Sequence, residues 1–198
     1  MTDKMRCHWA TGVPDIYIRY HDTEWGVPVN DDSLLFEFLI LEGFQAGLSW
    51  LTVLKKRDNF RRAFDGFNPV RMCRYDDRKI SELLDNPGII RNRLKIRAAI
   101  TNAKAFLKTQ EEFGTFAGYM WRFVEGRPIV NHWKSDRDIP ASTPLSDKLS
   151  KDLIERGFKF VGSTIMYAHM QAVGMVNDHC IHCFRHREIQ QQSRISSR

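Results

Sequence analysis

Cysteine and histidine crowd the two ends of this chain. Cys7, His8 and His21 stand near the start, and His179, Cys180, His182 and Cys183 near the end. His179 and Cys183 are four residues apart, so one helical turn would set both on one face, ready to share a tetrahedral ion. Cys7 and His21 could complete a Cys2His2 set. Four protein ligands leave no open position, so such an ion would be structural and would tie the termini together. Cys180 and His182 are rival ligands, and the alternative to any metal is a few buried thiols and solvated histidines. Cys73 lies far from both groups and reads as core.

A second group could bind a flat, electron-poor ligand. Glu42 falls in Leu41-Glu42-Gly43-Phe44-Gln45, at the end of an apolar run and beside a glycine that would let a ligand approach the backbone. A carboxylate there can accept from an exocyclic amine or stabilise developing positive charge. The competing reading is an ordinary glutamate on a helix surface. Trp9, Tyr17, Tyr20 and Trp25 add a dense aromatic set, suited to a pocket for a heterocycle or equally to core filling. A third feature is Gly157-Phe158-Lys159-Phe160-Val161-Gly162 between two helical patterns. A glycine-bounded turn next to a helix N-terminus exposes backbone N–H groups that bind phosphate oxygens. Lys151, Arg156 and Lys159 add charge there, and Arg91, Arg93, Lys95 and Arg97 form a further basic run that is either phosphate-facing or a solvated helix surface.

Helices must position these groups. The first thirty residues read as irregular, punctuated by Gly12, Pro14, Gly26 and Pro28. Asp31-Asp32-Ser33 supplies caps for a helix carrying Leu34, Leu35, Phe38, Leu39 and Leu41. A second helix is expected from Ser49 to Phe64. Asn68-Pro69 marks a break, a short helix follows over 77–84, and a long one over 89–107. Further helices are expected over 113–124, from a Ser146 cap onward, and over 163–173, with a loop at 125–145. No segment alternates with a period of two between turn signals, so the fold class is all-α. Residues 1–185 read as a single globular domain, and the polar 186–198 as a disordered tail.

Composition bounds the function. The chain has 198 residues, 42% of them hydrophobic, and a net charge of +6. That length buries a sizeable core, and no apolar run approaches the ~20 residues of a membrane span. The N-terminus lacks a secretory h-region, so a cytoplasmic location is expected, where four cysteines do not read as disulfides. The positive charge permits a polyanionic partner.

The motifs together resemble the bacterial type I class of DNA-3-methyladenine glycosylases. The matching runs are Tyr20-His21-Asp22, Glu24 to Pro28, Leu41-Glu42-Gly43, Gln45 to Trp50, Gly88 to Arg91, Arg156 to Gly162 and Val176 to His179. The resemblance spans about Cys7 to Cys183. It implies a two-lobed all-α fold of the helix-hairpin-helix glycosylase superfamily, excision of 3-methyladenine from alkylated double-stranded DNA as the first step of base-excision repair, and a monomer with no membrane partner. It implies Zn2+ held by Cys7, His21, His179 and Cys183, Glu42 as the base-contacting carboxylate, and Tyr20 and Trp50 in the pocket with Trp9, Tyr17 and Trp25 nearby. Leu48 matches a side chain that wedges into the duplex, and Gly157, Lys159 and Gly162 lie on the hairpin expected to grip the backbone.

Two departures from the superfamily bear on mechanism. Many members place a nucleophilic lysine just after the hairpin glycine, whereas here Gly162 is followed by Ser163-Thr164-Ile165; no strand-cleaving lyase activity is expected. The superfamily aspartate falls at Asn177 or Asp178, depending on a one-residue shift. Two other classes compete with the enzyme: a zinc-stabilised module that binds lesions without cleaving, and a hydrolase of free nucleosides.

Overall fold

A computed structural model describes residues 4–195. The helix that organises it is α2 (Asp32–Gln45). Its N-terminus is set by Asp31, whose Oδ1 accepts from the Leu34 N–H at 2.8 Å. From Leu35 to Phe44 every residue of α2 is buried, so this helix has no solvent face and runs through the centre of the molecule. It packs against α3 (Trp50–Leu54), α7 (Arg93–Phe113), α8 (Phe116–Trp121) and α10 (Ser163–Ala172). Phe36, Phe106 and Phe116 form one continuous aromatic contact where α2, α7 and α8 meet.

The remaining helices are α1 (Asp15–Thr23), α4 (Arg57–Ala63), α5 (Pro69–Met72), α6 (Asp77–Asp85), α9 (Pro144–Glu155) and α11 (Phe184–Ile195). Two-residue strands β1 (Ile129–Val130) and β2 (Val176–Asn177) pair in parallel, Ile129 opposite Val176. This short bridge pins the loop after α8 beside the C-terminal segment. No helix among the described residues is long and apolar enough to cross a membrane.

The helical class stands, with several local differences from the sequence reading. The irregular N-terminal region contains α1, started by Pro14 and Asp15 and held by the burial of Tyr20 and His21 one turn further on. The expected helix from Ser49 to Phe64 breaks into α3 and α4 at Lys55–Lys56. The long helix starts later and runs to Phe113, because Asn92 caps it through the Lys95 N–H. Thr143, not Ser146, caps α9; Ser146 is its reciprocal partner, its hydroxyl accepting from the Thr143 N–H at 2.9 Å. Residues 186–195, read as the start of the tail, belong to α11, with His186 and Ile189 buried.

Candidate active site and metal centre

The termini meet at four buried side chains, Cys7, His21, His179 and Cys183. Cys183 Sγ lies 3.5 Å from both His21 Nε2 and His179 Nδ1, and Cys7 Sγ lies 3.6 Å from His179 Nδ1. A tetrahedral ion with metal–sulfur bonds of about 2.3 Å and metal–nitrogen bonds of about 2.0 Å has S–N edges of about 3.5 Å. The donor set therefore fits a divalent ion.

The outer contacts fix which ring nitrogen faces the centre. His21 Nδ1 bonds Asp22 Oδ1 at 2.8 Å, itself gripped by Arg6, and His179 Nε2 donates to the Trp25 carbonyl at 2.9 Å. His21 Nε2 and His179 Nδ1 remain to bind, the arrangement that orients metal-ligating imidazoles. Burial pushes the His179 imidazole down, towards the neutral form a ligand needs. Contact with Cys7, together with His179 and His21, pushes the Cys183 thiol down, towards the thiolate a metal ligand needs. Gly26 permits the approach: a Cβ there would sit 3.1 Å from the His179 ring, and its φ is +80°.

The pairing of His179 with Cys183 does not use a helical turn, as the spacing suggested. Both lie in the non-helical segment between β2 and α11, closed by the Cys183 N–H donating to the Cys180 carbonyl at 2.8 Å. Cys180 is buried but turns its thiol to Asp136 Oδ1 at 3.0 Å, and burial with that bond pushes it up to about 12. His182 is exposed, and Cys73 is half-buried against the Val70 carbonyl rather than in the core.

Beside this centre opens a cavity of about 440 Å³ lined by Trp9, Tyr17, Tyr20, Trp25, Trp50 and Glu42. The size is that of a small-molecule site. The Tyr17 and Tyr20 rings are near-parallel, 12° apart with centroids 6.5 Å apart, and Tyr20 meets Trp50 at 5.5 Å. Trp9 packs on Tyr17 at 5.0 Å and edge-on to Trp25 at 5.1 Å. The α1 side of this box is braced by Arg57, which bridges Glu24, just past α1, to Glu37 on α2.

Glu42 is 3% exposed, and its Oε2 has no hydrogen-bond partner. Its burial follows from the centrality of α2, which leaves no helix surface for it to occupy. Desolvation pushes its carboxyl up to about 8. An unpaired buried acceptor facing an aromatic-lined cavity is costly unless a ligand donates to it. Trp50 Nε1 is likewise buried and unpartnered. Burial, with Glu42 next, raises both Tyr17 and Tyr20, so both stay neutral phenols. The neighbouring Gly43 serves protein packing and not ligand approach: a Cβ there would meet Phe160 Cβ at 3.4 Å.

The sequence did not reveal the rest of the cavity wall. Asp136, Ile139, Pro140 and Ala141 arrive from the loop after β1, and Thr164, Tyr167, Ala168 and Gln171 from α10. No local pattern marks them; β-pairing and one carboxylate bring them in. Asp178, fully buried, accepts from Asn131 Nδ2 (2.6 Å), Trp133 Nε1 (2.8 Å), Tyr167 OH (2.7 Å) and Gln171 Nε2 (2.8 Å). Asn177 is also fully buried, donating to the His186 carbonyl. Neither lines the cavity. Both candidate positions for the superfamily aspartate are thus occupied by packing and anchoring contacts.

Leu48 stands 42% exposed on the turn between α2 and α3. Gly157, Lys159 and Gly162 lie on the turn between α9 and α10, Lys159 exposed and both glycines with open space where a Cβ would point. Two expected basic groups are not free: Arg156 pairs with Glu112 and Asp152, and Lys95 is buried. Arg91, Arg93 and Lys151 are exposed.

Comparison with known proteins gives a consistent picture. The sequence model of the methyladenine glycosylase family matches residues 9–186. The chain is 49% identical over 178 residues to DNA-3-methyladenine glycosylase 1 of Escherichia coli (strain K12), covering 90% of this chain and 95% of that protein. A crystal structure of a 3-methyladenine DNA glycosylase I superposes with a TM-score of 0.88 at 52% identity, over 91% of this chain and 98% of that one. A tyrosine-to-phenylalanine variant of such an enzyme, crystallised in complex with 3-methyladenine, gives a TM-score of 0.87 at 34% identity, over 90% and 96%. This chain belongs to the methyladenine glycosylase family.

Proposed function

We propose that this protein is a monofunctional DNA glycosylase that hydrolyses the N-glycosidic bond of 3-methyladenine in alkylated double-stranded DNA, the first step of base-excision repair. The observation that carries the reading is the unpaired Glu42 Oε2, buried beside an aromatic-lined cavity. Relatives are named for this activity, and one is described with the base bound.

Methylation at N3 makes the purine cationic and weakens its bond to the sugar, so the leaving group needs little protonation. Selection and placement remain for the protein. The base must leave the stack to be reached, at a cost of a few kcal/mol, for which glycosylases are a standing example. Leu48 fills the gap left in the duplex, and the Lys159 side chain with the backbone N–H groups of 160–162 holds the phosphates. The ring then enters among Tyr17, Tyr20, Trp25 and Trp50, whose π faces favour a cation. Glu42 accepts from its amino group. A neutral adenine would face either a desolvated anion or a protonated acid that cannot accept as well, whereas a cationic base favours ionised Glu42. Glu42 is therefore a recognition and electrostatic residue in this account.

The residues lining the cavity include no lysine, so no amine is placed to form a Schiff base with the sugar. Where such a lysine would stand, the Ser163 hydroxyl bonds Ser146 Oγ at 2.9 Å. Asp136, at the cavity wall, accepts from the Trp9 N–H at 2.8 Å as well as from Cys180. It therefore braces the wall and leaves electrostatic work to Glu42. Zn2+ is the ion that suits a closed Cys2His2 set; when bound by Cys7, His21, His179 and Cys183 it supplies folding energy.

Methylated duplex, methylated single strand and free 3-methyladenosine, offered in parallel, test the reading. Free 3-methyladenine should be released from DNA without strand scission. Turnover of the nucleoside alone would make this a nucleoside hydrolase, and tight duplex binding without release a lesion-recognition module.

A further inference from the structure

Helix α7 touches both elements assigned above to DNA, at two polar side chains on one of its faces. Lys95 and Asn102 are seven residues apart, two helical turns or about 10 Å along the axis. Lys95 is 8% exposed, and its Nζ donates to the carbonyls of Phe44 (2.9 Å) and Ala46 (2.6 Å). Asn102 is 3% exposed and holds the hairpin by both ends of its amide. Its Nδ2 donates to the Lys159 carbonyl at 2.9 Å, and its Oδ1 accepts from the Lys159 N–H at 2.7 Å.

The chemistry of each contact fits a fixed bearing. The Ala46 N–H makes no capping bond at the C-terminal end of α2, where the last carbonyls need partners from outside the helix and the helix dipole is negative. The Lys95 ammonium satisfies the Phe44 carbonyl there and the Ala46 carbonyl just beyond it with charge-assisted bonds. The Leu48 turn begins at once, its own N–H donating back to the Gln45 carbonyl at 2.6 Å. Asn102 presents one donor and one acceptor to a single residue, which fixes the tip of the hairpin in position and orientation. Between the two clamps lie Ala98 and Ala99, small enough to admit Gly43 of α2 and Phe160 of the hairpin around a void of only about 10 Å³. Phe160 itself sits at φ +54°, a conformation held by its surroundings.

We propose that Lys95 and Asn102 are positioning residues, with α7 acting as a ruler that sets the separation between the Leu48 wedge and the Lys159 backbone grip. The inference rests on the reading of those two elements as DNA contacts. Its consequence is that the clamps matter for extracting a base from a duplex and not for recognising a base already free.

The test compares Lys95→Met and Asn102→Ala with wild type in single-turnover excision of 3-methyladenine from methylated duplex and from methylated single strand. Binding of free 3-methyladenine, read by tryptophan fluorescence, reports the pocket alone. Displacing a positioned group by about 1 Å costs on the order of 100-fold, so duplex excision should fall 10- to 100-fold. Single-strand excision and free-base affinity should stay within about twofold. Lys95→Gln, which keeps a donor for one carbonyl, should recover part of the duplex rate; it also serves if Lys95→Met does not fold. Equal losses in all three readouts would make the residues merely structural and overturn the proposal. Unchanged duplex excision in both variants, with Leu48→Ala impaired, would overturn it while leaving the wedge reading intact. If Leu48→Ala and Lys159→Ala also left duplex excision unchanged, the wedge and grip reading itself would fall, and the ruler with it.

Discussion

Replacing Glu42 by glutamine should stabilise the protein progressively as pH rises, while removing its activity. Burial moves this carboxyl from its ordinary 4.5 to about 8 in the folded chain. At about 1.36 kcal/mol per pH unit, ionising it there costs on the order of 5 kcal/mol, a ceiling that water entering the cavity lowers. The sign follows from proton counts. Between pH 4.5 and 8 the folded state holds the proton and the unfolded state does not, so the wild type loses stability as pH rises through that window. Glutamine does not titrate. Urea unfolding of both proteins at pH 5.5, 7 and 8 should therefore show the stability difference growing in favour of Glu42→Gln, by about 3 kcal/mol across the range. The slope carries the test, because any constant offset includes the amide's own hydrogen bonding, and the metal ligands are common to both proteins. Parallel stability profiles would refute the reasoning, since Glu42 would then titrate alike folded and unfolded.

The same carboxyl should govern the pH–rate profile. If its ionised form binds the base, kcat/KM on methylated duplex should rise about tenfold per pH unit to a plateau near pH 8, and a flat profile from pH 6 to 9 would remove Glu42 from recognition. Asp178→Asn should destabilise by about 2–4 kcal/mol, because an amide cannot accept from four donors; a change below 1 kcal/mol in urea unfolding would show that the hub is dispensable. Arg57→Ala should cost about 1–3 kcal/mol by removing the bridge between Glu24 and Glu37, a loss limited because Glu37 keeps Arg61 at 2.8 Å, and thermal unfolding would detect it. Chelation, or Cys183→Ala, should lower the melting temperature and release one zinc per chain by elemental analysis; full metal content in the variant would place another ligand in the site.

What the sequence disclosed follows from the range of each interaction. The start of α2 was legible because its cap, Asp31, is three residues from the N–H it accepts. The four candidate metal ligands could be singled out by chemistry alone, yet their local geometry could not, since His179 and Cys183 meet across a turn and not along a helix. α1 was obscured because Gly12, Pro14 and Gly26 flank it, while its stability comes from Tyr20 and His21 buried against distant segments. Lys95 carries the same signature as an exposed lysine; only the arrival of α2's last carbonyls makes it a buried one. The loop carrying Asp136 to Ala141 joins the cavity through Asn131 and Trp133, whose partner Asp178 lies more than forty residues away. Contacts over such distances leave no periodicity to read.

The central claim is that a buried, unpaired glutamate in an aromatic cavity selects a cationic purine. Release of free 3-methyladenine and 7-methylguanine from methylated duplex, by wild type and by Glu42→Gln at pH 8, tests it most directly. The account predicts 3-methyladenine release by the wild type, a loss of at least 100-fold in the variant, and duplex affinity unchanged within about threefold. Equal release by folded wild type and variant would contradict it.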